Sequence, residues 1–369
     1  MARSEPNVPA PPYAARRRRL VAALRTARVP ALLVSNPANV TYLTGFESSN
    51  AFLLCTPTAA ALITDFRYET AARTLAADQQ LELLIAKDGL GRAVATFCRQ
   101  HHIRTLAFED DHLTVARYET LRRHVPNVRW RPARPWIMAA RLVKDEGELA
   151  TMRLAVRIAE QAFATIRDHE WIGLTEREAA DLLEERLRAA ARKWGAHAEP
   201  AFPFIVATGP NAAIPHHRPG ATLIREGQIL LVDWGARVTG YCSDMTRTLF
   251  LGTPDAQFKK VYSIVLKAQL AAIRTLKPGV TLKHVDAAAR SIIAAAGHAA
   301  HFGHATGHRI GLEVHEGLKL AKNNPERARA GMITTIEPGI YLPGWGGVRI
   351  EDMVLVTPRG HEVLTALPK

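Results

Sequence analysis

The sequence predicts an α+β protein in two parts. Residues 15–140 form an α/β layer domain. Residues 141–369 form a larger domain of two αα-ββ halves, antiparallel sheet inside and helices outside. Three observations carry this. Short apolar runs alternate with helical stretches in the first part. A helix–helix–strands plan occurs twice in the second part, about a hundred residues apart. Each copy of that plan holds a hairpin whose β-patterned strands carry two acids.

The chain has 369 residues, of which 47% are hydrophobic, enough to fill two cores on a prior of ~100–200 residues per domain. No apolar run approaches the ~18 residues of a membrane span, so no membrane partner is expected. The arginines at 16–19 are not followed by an apolar stretch with a small-residue cleavage site, and the expected location is cytoplasmic. Cys55, Cys98 and Cys242 are too widely spaced for a metal pair or a disulfide framework, as suits a reducing compartment. The net charge of +13 invites a nucleic-acid reading. Arginine is spread along the chain, however, and only Arg16–Arg19 form a run, with no recognisable module or stacking aromatics. That run opens "AARRRRLVAALRTA" and is read as a solvated helix face.

In chain order, 1–14 ("MARSEPNVPAPPYA") reads as a flexible tail rich in proline and small residues. Strands are expected at 31–35, 51–55, 60–64, 81–85 and 105–108, with helices in "GRAVATFCRQHH" and "HLTVARYETLRRHV". The proline-bearing "RPARPWIMAARLVKDEGE" (131–148) marks the domain boundary. A helix beginning near Glu148 shows Met152, Ala155, Ala159, Ala162 and Ile166 on one face. The next has Thr175 and Glu178 as a capping box and Gly195 as its stop. The second copy runs from a helix over about Gln257–Leu276 to "GVTLKHVDAAARSIIAAAG", with Thr281 as cap and Gly297 as terminator. Strand-rich segments follow at 202–251 and 306–357.

The chemistry lies in those segments. With a turn at Val238-Thr239 in "LLVDWGARVTGYCSDMTRT", Asp233 faces Asp244 directly. Facing like charges destabilise a sheet, and burial adds to the cost. A bound divalent cation resolves the conflict; a wet turn residue is the plain alternative. In "TTIEPGIYLPGWGGVRIEDMVLV", Glu337 and Glu351 pair around Gly344 in the same way. Upstream, "FGHATGHRIGLEVHE" adds His304, His308 and His315 among glycines. Four carboxylates and an imidazole make an oxygen-rich site suited to Mn²⁺ first and Zn²⁺ or Co²⁺ next.

These motifs resemble the pita-bread metallopeptidases, which include methionine aminopeptidase, prolidase and aminopeptidase P. The resemblance covers Val143 to Val356. It matches the family's five metal ligands to Asp233 of "VDWG", Asp244 of "SDMTRT", His308 of "TGHRIG", Glu337 of "EPGIY" and Glu351 of "RIED". It implies two divalent ions ~3.5–4 Å apart, sharing a bridging carboxylate and a nucleophilic hydroxide. Asp244 and Glu351 would bridge both ions, Asp233 would hold one, and His308 with Glu337 the other. Glu337 would accept a proton from the nucleophile. By the same resemblance His216 of "IPHHRPG" lines the substrate pocket, and His315 binds the scissile carbonyl or steadies the tetrahedral intermediate. His304 is a pocket wall, and His217 a bystander. Arg349 shares a strand face with Glu351, and could orient a carboxylate, contact substrate or form a plain salt bridge.

Some 140 residues precede the catalytic region, unlike methionine aminopeptidase, and "NPANVTYLTGFESSNAFLL" resembles the N-terminal domain of prolidase, aminopeptidase P and creatinase. Creatinase lacks the five ligands. The resemblance therefore implies an Xaa-Pro aminopeptidase or dipeptidase, acting on proline-containing peptides as a homodimer. The alternatives are an inactive pita-bread protein that binds protein or nucleic acid, and a metal-dependent hydrolase of another small amide.

Overall fold

A computed structural model describes residues 12–133, 135–166, 168–317 and 319–369 of the chain. It divides into two compact units, Ala10–Arg141 and Leu142–Lys369. Most of the expected tail, residues 1–11, lies outside the described residues, while Tyr13 and Ala14 already belong to the first helix.

The first unit contains α1 (Tyr13–Thr26), β1 (Leu32–Val34), α2 (Pro37–Thr44), β2 (Ala51–Cys55), β3 (Ala60–Asp65) and α3 (Glu69–Gln79). It continues with β4 (Glu82–Ala86), α4 (Leu90–Gln100), β5 (Thr105–Phe108), α5 (Val115–His124), β6 (Arg129–Pro132) and α6 (Trp136–Arg141). Its six strands form one mixed sheet in the order β4-β3-β2-β1-β5-β6. The parallel pairs β1–β5, β5–β6 and β3–β4 are the crossovers that alternating helices allow. Leu33, Phe52, Ile63, Leu106 and Phe97 centre its core. Helix α2 starts where Asn36 caps the Ala38 N–H and Pro37 fills the first turn.

The arginine run is not a solvated face throughout. Arg18 and Arg19 are exposed, but Arg16 and Arg17 are buried. Arg16 donates to the Tyr42 carbonyl, and Arg17 to the Leu43 carbonyl and the Gln79 side chain. They donate to carbonyls that the end of α2 leaves unsatisfied.

The second unit opens with α7 (Glu146–Ala164), α8 (Asp168–Trp171) and α9 (Glu176–Lys193). Strands β7 (Glu199–Pro200), β8 (Ile205–Thr208), β9 (Ile229–Trp234), β10 (Ala236–Val238), β11 (Tyr241–Cys242) and β12 (Met245–Phe250) follow. The second copy has α10 (Ala256–Thr275), α11 (Leu282–Ala295), β13 (Ile333–Ile336), β14 (Gly339–Leu342), β15 (Gly346–Arg349), β16 (Asp352–Thr357) and β17 (Gly360–Val363). Helix α7 packs on α9 and α10 on α11, and each half has a three-stranded antiparallel sheet, β8-β9-β12 or β13-β16-β17. Thr175 and Glu178 form the expected capping box. Thr281 occupies the N-cap position of α11 but makes no side-chain cap bond. Among the described residues no helix is long and apolar enough to cross a membrane.

Each half ties its first helix to the strand that carries an acid. Trp234, beside Asp233, donates from its indole to the Ala159 carbonyl of α7 and stacks on Phe163 at 4.3 Å. Asp352, beside Glu351, accepts from Gln269 of α10 at 2.6 Å. The halves meet where the Glu351 N–H donates to the Thr246 carbonyl and Thr248 Oγ1 to the Arg349 carbonyl. The duplicated plan thus brings the two acid-bearing hairpins edge to edge.

Candidate metal centre and substrate pocket

The first hairpin turns one residue later than expected. Val238 pairs with Tyr241, so Thr239 and Gly240 form the turn, both with positive φ (43° and 81°). Asp233 therefore pairs with Thr246, and Asp244 is its diagonal rather than its direct neighbour. The second hairpin keeps the expected register: Ile336 pairs with Asp352 and Gly339 with Arg349, so Glu337 and Glu351 occupy facing positions between them.

Close backbone approach sets the floor of the site. A Cβ on Gly307 would sit 1.9 Å from the Thr335 carbonyl oxygen, so only glycine lets the His308 segment lie against β13. That contact lets the His308 N–H donate to Thr335 Oγ1 at 3.1 Å. His308 Nδ1 then donates to the Arg309 carbonyl at 3.2 Å, leaving a lone pair on Nε2. That nitrogen looks at Asp244 Oδ2 and Glu337 Oε1 from 3.3 and 3.5 Å. Ligand atoms of Asp244, His308 and Glu351 lie within 4.8 Å of one another.

The charges do not balance internally. Asp233, Asp244, Glu337 and Glu351 converge on one buried guanidinium, that of Arg349, which donates to Asp233 Oδ2 at 2.6 Å and to Thr246 Oγ1 at 3.0 Å. The Thr246 hydroxyl donates in turn to Glu351 Oε2 at 2.7 Å. The other oxygens of the same two acids, Asp233 Oδ1 and Glu351 Oε1, are buried with no hydrogen-bond partner among the described residues. Burial first, then the neighbouring acids, hold the Asp244 and Glu351 carboxyls well above the usual range. Asp233 is also raised, because burial outweighs the pull of Arg349. Orphaned carboxylate oxygens around a free imidazole lone pair fit divalent cations, which would meet every unsatisfied atom at once.

A cavity of about 380 Å³ opens above these acids. Phe202, Phe204, Ile205 and Val314 give it an apolar wall. His216 stands exposed at its mouth. His315 keeps one side open to it and packs edge-on to His308 at 4.2 Å. The enclosure of its remaining surface and then the nearby His308 push its pKa down to about 4, so the ring is neutral near pH 7. His304 has both nitrogens engaged: Nδ1 donates to the Ala305 carbonyl, and Nε2 accepts from the Tyr341 hydroxyl at 2.8 Å. Tyr341 in turn accepts from Arg349 at 3.0 Å. Every side-chain nitrogen of Arg349 donates within the protein, and its Nη2 forms a buried salt bridge with Asp233, a contact that both the carboxylate-orienting and the plain salt-bridge readings require.

His217 is not a bystander. Its Nε2 meets Glu176 at 2.7 Å, and that buried carboxylate also accepts from Thr208, Asn211 and Gly220, which pins the His216 loop to α9. Sequence reasoning missed Thr246 and Tyr341. Both lay inside the quoted motifs, Thr246 two residues past Asp244 and Tyr341 four past Glu337, and strand alternation puts each on its acid's face.

Residues 150–358 match the model of metallopeptidase family M24. The chain belongs to that family. Residues 16–143 match the creatinase/prolidase N-terminal domain, so this M24 metallopeptidase pairs that domain with a pita-bread domain. It is 35% identical over 92% of its length, and 95% of the relative's, to YqhT, an uncharacterized peptidase of Bacillus subtilis. Among solved structures it resembles an Xaa-Pro dipeptidase from Bacillus anthracis (TM-score 0.89, 35% identity, 97% of this chain and 98% of the other). It also resembles an X-Pro aminopeptidase from Thermotoga maritima (TM-score 0.83, 34% identity, 93% and 98%). As a member of M24 the chain is a divalent-metal-dependent peptidase, and the acid cluster is its candidate metal centre.

Proposed function

We propose that this M24 metallopeptidase hydrolyses the bond between a first residue and a following proline, using two divalent ions held by Asp233, Asp244, His308, Glu337 and Glu351. Mn²⁺ is the favoured ion, with Zn²⁺ and Co²⁺ next, because the ligand set is four carboxylates and one imidazole. The observation that carries the reading is the pair of buried oxygens on Asp233 and Glu351, one from each half, with no hydrogen-bond partner among the described residues, on acids that line the same cavity as His308. When bound, such ions supply an activated, bridging hydroxide near neutral pH and polarise the scissile carbonyl.

The chain's own residues would do the rest. Glu337, held by Thr335 at 3.3 Å, is the least buried of the four acids and borders the cavity, as a proton acceptor and donor for the reaction must. Neutral His315 can donate to the oxygen that gains charge. His216 closes the mouth over the substrate, and His304, its nitrogens already engaged, shapes the wall. The apolar side around Phe202, Phe204 and Val314 suits a proline ring. Arg218 and Lys319 border the same cavity with no ion-pair partner among the described residues, and they favour a substrate with a free carboxylate nearby, hence a dipeptide. By the family resemblance a homodimer belongs to the same proposal.

The test is hydrolysis of Ala-Pro and Ala-Pro-Ala with added Mn²⁺ and Asp244→Asn as control. Metal-dependent cleavage of either, lost in the variant, supports the reading; cleavage of neither by metal-loaded protein sinks it.

A further inference from the structure

Residues 12–141 hold nineteen lysines and arginines against ten aspartates and glutamates, so most of the chain's +13 sits in little more than a third of its length. Internal bonds occupy Arg16 and Arg17, and acids pair with Arg67, Arg73 and Arg92. A different set has no acid partner among the described residues, although one of them, Arg25, donates to the Pro57 carbonyl at 2.9 Å. Where the end of α1 meets the edge strand β6, a groove of about 620 Å³ is walled by Arg25, Arg28, Arg129 and Arg131. A second concavity adjoins it through Pro30, Pro57 and Thr105, and adds Arg104 and His102. All five arginines are exposed. Among the described residues none has a carboxylate at ion-pairing distance, and no aspartate or glutamate lines either hollow.

Ordinary structural reasons cover part of this. Cations at the end of α1 complement its exposed carbonyls, and charged side chains protect an edge strand such as β6. Neither reason requires both pairs to wall one groove with no acid among them. We propose that this groove binds a short chain of phosphates, free or as the tail of a nucleotide. Guanidinium forks match phosphate oxygens two at a time, and Arg129 and Arg131, two residues apart on one face of β6, present adjacent forks. The remaining walls of the groove are Leu24, Val29, Pro30, Pro57 and Thr105, with no aromatic ring on which bases could stack, and the adjoining hollow adds only the imidazoles of His101 and His102, so the phosphates carry most of the binding.

Calorimetric titration of the metal-stripped full chain with inorganic tripolyphosphate at low ionic strength tests this. The expected result is saturable binding that weakens roughly tenfold or more in R129Q/R131Q and in R25Q/R104Q, and weakens again as salt approaches about 0.15 M. Both variants should keep the wild-type peptidase rate, which shows that they fold. ATP binding as tightly as tripolyphosphate assigns the site to the phosphates alone, and tighter ATP binding assigns it to a nucleotide. Absence of binding, binding unchanged in both variants, or binding of a short oligonucleotide but not of tripolyphosphate overturns the proposal.

Discussion

Arg349 donates from Nη2 to Asp233 Oδ2 at 2.6 Å, so a strand of the second half holds an acid of the first. Through Thr246 the same guanidinium steadies Glu351, and in both acids the oxygen opposite the held one is left bare. Both acids line the same cavity, one from each half. Replacing Arg349 by Gln should therefore weaken Mn²⁺ binding and activity about 10–100-fold, the usual cost of losing a residue that orients a ligand. Lys, which keeps the charge but not the fork, should recover only part. Unchanged Mn²⁺ affinity in the Gln variant would show that Asp233 needs no positioning.

The raised carboxyls of Asp244 and Glu351 predict a pH signature. Below the unfolded values of ~4 both states are protonated and nothing is lost. As pH climbs, the unfolded chain ionises first, and the metal-free fold loses stability until pH passes the raised folded values. The gain in Tm on adding Mn²⁺ should then be larger at pH 8 than at pH 5. Metal-free Asp244→Asn should melt above metal-free wild type at pH 8. Equal Mn²⁺ gains at both pH values would contradict this.

Gly307 should tolerate no side chain. An added Cβ would lie 1.9 Å from the Thr335 carbonyl oxygen and 2.7 Å from its carbon, backbone atoms that cannot swing aside. Gly307→Ala is expected to cost about 3 kcal/mol or more and to displace His308, lowering Tm and Mn²⁺ affinity together. A variant with wild-type Tm and affinity would mean that the segment relaxes freely.

How much of this was legible in the sequence depends on the range of each interaction. The Glu337–Glu351 register could be read because Gly344, in the left-handed region at φ 83°, fixes a short turn between regular strands. The Asp233 register was missed because Thr239, a β-branched residue, adopts φ 43° and takes the turn with Gly240. Arg16 and Arg17 looked like solvent-facing charge because their acceptors, the last carbonyls of α2, are about a helix and a strand away. The chain from Arg349 through Tyr341 to His304, and the His217–Glu176 anchor, join residues by tertiary contact that no local periodicity encodes.

The most direct test of the central claim, that acids from both halves and His308 form a cradle for two ions, is calorimetric titration of the metal-stripped full chain with Mn²⁺. Wild type should bind two equivalents and Asp244→Asn one or fewer, since Asp244 is proposed to belong to both ion positions. No binding to wild type, or the same two equivalents in the variant, would contradict it.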